Sequence, residues 1–144
     1  MREVLLGLLL PALVLWMFAS ISAAQDQTAG PLQPQVGQPG KDVVWVPTPH
    51  RLIERMLQMA DTTQKDVVVD LGSGDGRIPI TAAKKFGARS LGIEYEADLV
   101  RLSILSAARE GVAGRARFLR QDLFQTDLSE ATVVTLYVSP AIMA

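Results

Sequence analysis

The chain has 144 residues, with 14 Lys and Arg against 15 Asp and Glu, a net charge of −1, and no cysteine. That length has room for one domain at most. The balanced charge excludes a strong electrostatic footprint for nucleic acid, and the lack of cysteine excludes disulfides, thiolate metal sites and a cysteine nucleophile.

Met1-Arg2-Glu3 precedes an apolar run over residues 4–18, interrupted only by Gly7 and Pro11, and Ser22-Ala23-Ala24 then fits a small-x-small cleavage site. The pattern predicts a signal peptide over residues 1–24, with an N-terminal membrane anchor as the other reading. No Lys or Arg follows Arg2 until Lys41, so the charge bias predicts a domain that is exported or membrane-anchored, with residues 4–18 as the point of membrane association. Residues 25–42 contain Gly30, Pro31, Pro34, Gly37, Pro39 and Gly40 among several Gln. They read as an extended linker that tethers a domain over residues 43–144 without building it.

Thr48 suits an N-cap and Pro49 the first helical position, and Leu52, Ile53, Met56, Leu57 and Met59 follow at helical spacing before residues 61–65 end the helix. Residues 67–70 form the first strand. A second helix runs from Asp75 or Gly76 to Lys85 and is closed by Gly87, with Pro79 near the limit of its first turn. Residues 90–94 make the second strand, and residues 97–110 a helix with Leu99, Leu102, Leu105 and Ala108 on one face. A short third strand covers 117–120, a loop 121–124 and a fourth strand 132–138. This alternation predicts an α/β fold, a Rossmann-like parallel sheet of order 3-2-1-4 with flanking helices, whose ligand crevice lies outside the carboxyl ends of strands one and two.

The chemistry concentrates at the end of the first strand. Val67, Val68 and Val69 are β-branched and suit a strand buried on both faces, and Asp70-Leu71-Gly72-Ser73-Gly74-Asp75-Gly76-Arg77 then opens a loop with three alternate glycines. Glycines here let the backbone approach a ligand where helix N-terminal amides point outward. A dinucleotide fingerprint requires G-x-G-x-x-G, and Arg77 stands where its third glycine belongs, so a nicotinamide oxidoreductase is disfavoured. Glu94 closes strand two about 20 residues after Gly72, a spacing that suits bidentate acceptance of two ribose hydroxyls; the alternative is an acid that caps the next helix. Tyr95 or Glu96 would then line the base.

The pattern acid-x-G-x-G-x-G over Asp70 to Gly76 resembles motif I of the class I S-adenosylmethionine-dependent methyltransferases. The resemblance implies S-adenosyl-L-methionine as cofactor, Asp70 at its amino-acid end, Gly72, Ser73, Gly74, Asp75 and Gly76 against its methionine part, and Asp122 or the amide of Leu123 beside its adenine amine. That cofactor is ordinarily made and used in the cytosol, in tension with an exported domain. Trp45-Val46-Pro47-Thr48-Pro49, the loop from Asp70 to Ile78, and Leu136-Tyr137-Val138-Ser139-Pro140 are also similar to the family of the ATP synthase c-subunit lysine methyltransferase and its bacterial relatives, over residues from about 43 to 140. This closer resemblance implies methyl transfer to a lysine amine of a protein substrate, with Thr48, Tyr137 and Ser139 as candidates on the acceptor side. Thr48 also reads as a mere N-cap and Tyr137 as a packed strand residue. The transfer requires alignment and a neutral amine but no metal.

A nucleic-acid amino-methyltransferase is the rival enzyme. Such enzymes carry an Asp/Asn-Pro-Pro-aromatic loop where this chain has Ser139-Pro140-Ala141-Ile142. The class I sheet has seven strands, and the sequence given ends shortly after the fourth, which predicts an incomplete class I fold. Residues 132–138 would then form an apolar edge open to strand pairing, and a non-catalytic, cofactor-binding or strand-pairing remnant becomes a further reading.

Overall fold

The fold is that of a computed structural model describing residues 33–40 and 44–137. The expected signal peptide or anchor, most of the expected linker, and Ser139 lie outside the described residues. The elements are α1 (His50–Met59), β1 (Val67–Leu71), α2 (Arg77–Phe86), β2 (Arg89–Glu94), α3 (Ala97–Arg109), β3 (Ala116–Arg120), a 3-10 turn (Leu123–Gln125) and β4 (Val133–Leu136). The strands form one parallel sheet of order β3-β2-β1-β4, as the alternation predicts. Its register sets Asp70 beside both Gly92 and Thr135.

β1 is central and buried from Val68 to Leu71, as a β-branched strand between two helix layers must be. Ile53 and Leu57 of α1 pack with Val68, Ile78, Ala82 and Ala88, while Ala83, Val100, Ala107, Ala116 and Phe118 form a second cluster between α2, α3 and β3. Val69, Leu71 and Ile93 make a third, beneath Leu123 and Ala131.

Four local readings change. Pro49, extended at ψ 138°, takes the N-cap position of α1, and no side chain caps the helix; Thr48 stands one residue earlier, buried, and is not an N-cap. Met59 is exposed, so the stripe of α1 is narrower than its apolar spacing. α3 buries Leu99, Val100, Ser103 and Ala107, whereas Leu105 is half-exposed. The face turns because the buried Ser103 hydroxyl donates to the carbonyls of Gly74 (3.1 Å) and Leu99 (2.9 Å), a polar anchor that an apolar count passes over. β4 ends at Leu136, so Tyr137 follows the strand and is exposed. Pro79 costs nothing as the third residue of α2, where an N–H would have no intrahelical partner; its carbonyl accepts from the Ser90 hydroxyl at 2.8 Å, pinning α2 to β2.

Residues 35–40 are not a bare tether. The Gly37 N–H donates to the Trp45 carbonyl (2.8 Å) and the Trp45 N–H to the Gln38 carbonyl (2.9 Å), with Pro39 bridged to Val44. The turn at Gly37 doubles the chain back on itself, which extends the folded unit before residue 43.

Candidate functional site

A cleft opens at the carboxyl ends of β1, β2 and β4. Asp70, Gly72, Ser73, Gly74, Asp75, Glu94, Tyr95, Asp122 and Leu123, all expected from the sequence, line it, as do Thr48 and Tyr137. Gly76 is the exception. It begins α2 in a left-handed conformation, φ 80°, and an added Cβ would lie 2.7 Å from the Phe118 ring and 2.8 Å from the Ser103 Cβ. Its role is to let the loop enter the helix against β3, beneath the cleft.

The loop is held from below and from the side. The amides of Gly72 and Ser73 both donate to the Ile93 carbonyl at 2.9 Å, and the Gly76 N–H returns to the Ser73 carbonyl. The Gly74 N–H donates to Glu94 Oε2 (2.8 Å), while Glu94 Oε1 accepts from the Tyr95 and Glu96 amides (2.7 and 3.0 Å). Glu94 thus borders the cleft while holding the backbone that leads into α3, a helix that no side chain caps. Three backbone donors leave it about one acceptor position for a ligand, fewer than a free bidentate carboxylate would offer.

Asp70 is 1% exposed. Its Oδ1 accepts from the Thr135 hydroxyl at 2.7 Å, and its Oδ2 is buried with no hydrogen-bond partner among the described residues. Burial pushes its pKa up to about 7; the Thr135 hydrogen bond opposes the rise, and the carboxylates of Glu94 and Asp75 add to it. A buried, half-satisfied carboxylate is costly and identifies the position where a cationic or hydrogen-donating group would be most strongly held.

Arg77 and Trp45 also line the cleft, though the sequence pattern assigns neither a place in the site. The Arg77 guanidinium forks onto Asp75 (Nε to Oδ1 2.8 Å, Nη2 to Oδ2 2.6 Å) and donates from Nη1 to the Thr48 carbonyl (3.1 Å), joining the 45–48 segment to the loop. Trp45 lies over Gly74, where a Cβ would come within 2.5 Å of its Nε1. The signal for it in the sequence is the Trp-Val-Pro-Thr-Pro string, which carries a large aromatic into an otherwise short connection. Arg77→Ala is expected to lower stability by about 1 kcal/mol, since it removes a bidentate, partly buried pair and a bond to a fixed carbonyl; urea unfolding measures it.

The charges of the cleft are one-sided. Among the described residues, Asp70, Asp75, Glu94, Glu96 and Asp122 line it against Arg77, and Arg77 is already committed to Asp75. Such a field favours a cationic ligand and opposes a pyrophosphate. On the far side Asp122 accepts from the Phe124 amide at 3.0 Å, starting the 3-10 turn that carries Leu123 to the cleft. The Tyr95 ring is covered by the Arg120 guanidinium, 5.9 Å from its centroid.

A family model described as the ANTKMT methyltransferase domain matches residues 70–144. A protein-lysine N-methyltransferase of Saccharolobus islandicus is 44% identical over 97 residues, 67% of this chain and 60% of that protein. The ATP synthase c-subunit lysine N-methyltransferase of Homo sapiens is 39% identical over 99 residues, 69% of this chain and 42% of that protein. A crystal structure described as an RNA methyltransferase from Salinibacter ruber, in complex with S-adenosyl-L-homocysteine, is 52% identical, with a TM-score of 0.66 over 67% of this chain and 63% of that one. The chain therefore spans 60% and 42% of the length of the two curated relatives.

Proposed function

Because the chain belongs to the ANTKMT methyltransferase domain family, we propose that it binds S-adenosyl-L-methionine in the acid-lined cleft and serves methyl transfer to a lysine amine of a protein substrate. The observation that carries the proposal is Asp70, a buried carboxylate with one oxygen unpartnered among the described residues, at the head of a glycine loop in a cleft that favours cations. When bound, the cofactor supplies a methyl group on a cationic sulfonium, open to displacement by a neutral amine.

The residues present fit that group. Asp70 accepts its ammonium, the loop at 72–75 borders its methionine part, Glu94 meets its ribose through the remaining acceptor position, and Tyr95, Asp122 and Leu123 border its base. Trp45 lies over the loop and screens it from water. Thr48 and Tyr137 line the same cleft from the segments before α1 and after β4 and are proposed to orient the acceptor, together with Ser139 from beyond the described residues. Catalysis of this kind is chiefly alignment.

Titration of S-adenosyl-L-methionine and S-adenosyl-L-homocysteine into the full chain, with NADH as control, tests the cofactor. Micromolar binding of the first two alone is the expected result; binding of NADH alone, or of none, overturns it. The acceptor is tested by incubating the chain with labelled cofactor and either a protein extract or RNA. Label on lysine supports the principal reading and is what the resemblance to two lysine methyltransferases favours. The 52% identity to the Salinibacter enzyme favours RNA as the second reading, and binding without transfer would favour a remnant that only holds the cofactor.

Two further proposals concern partners. Val134 and Leu136 are exposed on β4 at the sheet edge, which supports pairing with a further strand. The apolar run at residues 4–18 supports export or membrane attachment, and fractionation of cells expressing the whole protein would test it.

A further inference from the structure

Thr135 is a buried hydroxyl on β4, directly beside Asp70 in the parallel register. Its hydroxyl donates to Asp70 Oδ1 at 2.7 Å, the side-chain hydrogen bond that Asp70 makes among the described residues, while Oδ2 of the same carboxylate stays without a partner there. Nothing in the loop motif refers to Thr135: it lies 65 residues away in sequence and does not itself line the cleft.

We propose that Thr135 is a positioning residue for Asp70, holding it by one oxygen so that the other stays unpartnered for a cationic group, and favouring its ionised form. This rests on the reading of the cleft as a site for S-adenosyl-L-methionine. A buried carboxyl with no donor has two inexpensive escapes, rotation toward another partner and protonation. The Thr135 hydroxyl opposes both. A hydrogen bond to the ionised form stabilises that form, and a β-branched side chain on a strand has little rotamer freedom with which to release its partner. The charged groups that face Asp70 are the Glu94 carboxylate at the end of β2 and Asp75 in the loop, both of which raise its pKa, and the Arg77 guanidinium at the start of α2, which lines the same cleft but is paired with Asp75. Thr135 on β4 is thus the group beside Asp70 that works in favour of its charge.

The test compares Thr135→Val, which keeps the shape and deletes the donor, with Thr135→Ser, which keeps the donor. In the ligand-free full chain, the Asp70 carboxyl titration followed by carbon-13 NMR should move up by about one pH unit in Thr135→Val and stay near the wild-type midpoint in Thr135→Ser. In calorimetric titration with S-adenosyl-L-homocysteine, wild-type affinity should exceed that of Thr135→Val by close to tenfold at pH 6 and by about twofold at pH 8, as expected when the ionised form binds. A ratio that does not change with pH would mean that Thr135 is only structural and would overturn the inference, as would an unmoved NMR midpoint. If Thr135→Val does not fold, Thr135→Cys, which puts a weak thiol donor in place of the hydroxyl, should move the midpoint in the same direction. Failure of the wild-type chain to bind at any pH would refute the cofactor reading instead, and the NMR comparison, made without ligand, would still decide whether Thr135 holds the charge on Asp70.

Discussion

Asp70→Asn is expected to abolish cofactor binding and, in the same molecule, to stabilise the ligand-free fold at neutral and alkaline pH. The binding loss follows from replacing a buried anion by a neutral amide opposite a cation. Removing one partner of such a charge pair costs 2–5 kcal/mol, a fall in affinity of about 30-fold to several thousandfold. The gain in stability follows from the raised pKa. A carboxyl that titrates near 3.8 when unfolded and at about 7 when folded binds its proton more tightly in the fold, so the fold is fully favoured below about pH 4. That advantage is lost as pH rises toward 7, where the buried group must ionise. The shift corresponds to about 4 kcal/mol, an upper figure for what an uncharged isostere recovers. Asn can still accept from Thr135 through its amide oxygen. Thermal melts of wild type and Asp70→Asn should coincide near pH 4, diverge as pH rises toward 7 and stay apart above it, the variant melting about 10 °C higher there if half that energy is recovered. A variant that melts below wild type at pH 8 would mean that Asp70 is compensated by a cation the described residues do not provide.

The opposing signs of the two effects distinguish a binding residue from a structural one. A carboxylate kept for packing or ion pairing would lose stability on neutralisation. One that is kept although it destabilises the empty fold must be compensated by what it binds, and for this reason buried, under-bonded acids concentrate at functional sites. Glu94 presents the contrast, because its three backbone partners satisfy it whether or not a ligand is present.

The sheet order and the position of the cleft are legible in the sequence because both rest on local signals. A run of β-branched residues ending in an acid, glycines at the loop and an acid closing the next strand leave few other ways to arrange parallel strands. The elements that clamp the loop are harder to read. Arg77 counts in the sequence against a dinucleotide motif and as part of the loop that carries the family resemblance, but not as a clamp, since its bond to the Thr48 carbonyl crosses 29 residues and has no periodicity. Ser103 escapes notice because a buried hydroxyl looks polar in sequence, and its partners, the Leu99 carbonyl of its own helix and the Gly74 carbonyl of the loop, show only in the fold. The turn at Gly37 reads as linker because its Pro, Gly and Gln composition is that of a flexible tether, while two backbone hydrogen bonds to Trp45 and Gln38 are independent of side-chain type. Long-range polar pairs escape a reading built on apolar spacing, and these pairs position much of the site.

Gly76→Ala carries the second large effect, and it separates the glycines of the loop by role. At φ 80° an L side chain is strained, a cost of order 1 kcal/mol or more. At this position the added Cβ would also meet Phe118 at 2.7 Å and Ser103 at 2.8 Å. Phe118 belongs to the α2–α3–β3 cluster, and Ser103 anchors α3 to the Gly74 carbonyl. Neither neighbour can retreat without opening that cluster or breaking the anchor, so overpacking adds about 1–3 kcal/mol. The combined loss, about 2–4 kcal/mol, is a large part of the stability of a domain this small. Gly76→Ala should therefore unfold at markedly lower urea concentration than wild type, or fail to accumulate as folded protein. Gly74→Ala meets a different neighbour, the Trp45 indole, 2.5 Å from its added Cβ, at a φ of 55° that lies within the small left-handed region open to L residues. It should displace Trp45, leave more of the folding cooperativity intact and weaken binding in the cleft by at least tenfold. Urea unfolding and calorimetric titration of the two variants distinguish the assignments: equal loss of stability in both would mean that Gly74, like Gly76, serves the fold rather than the ligand.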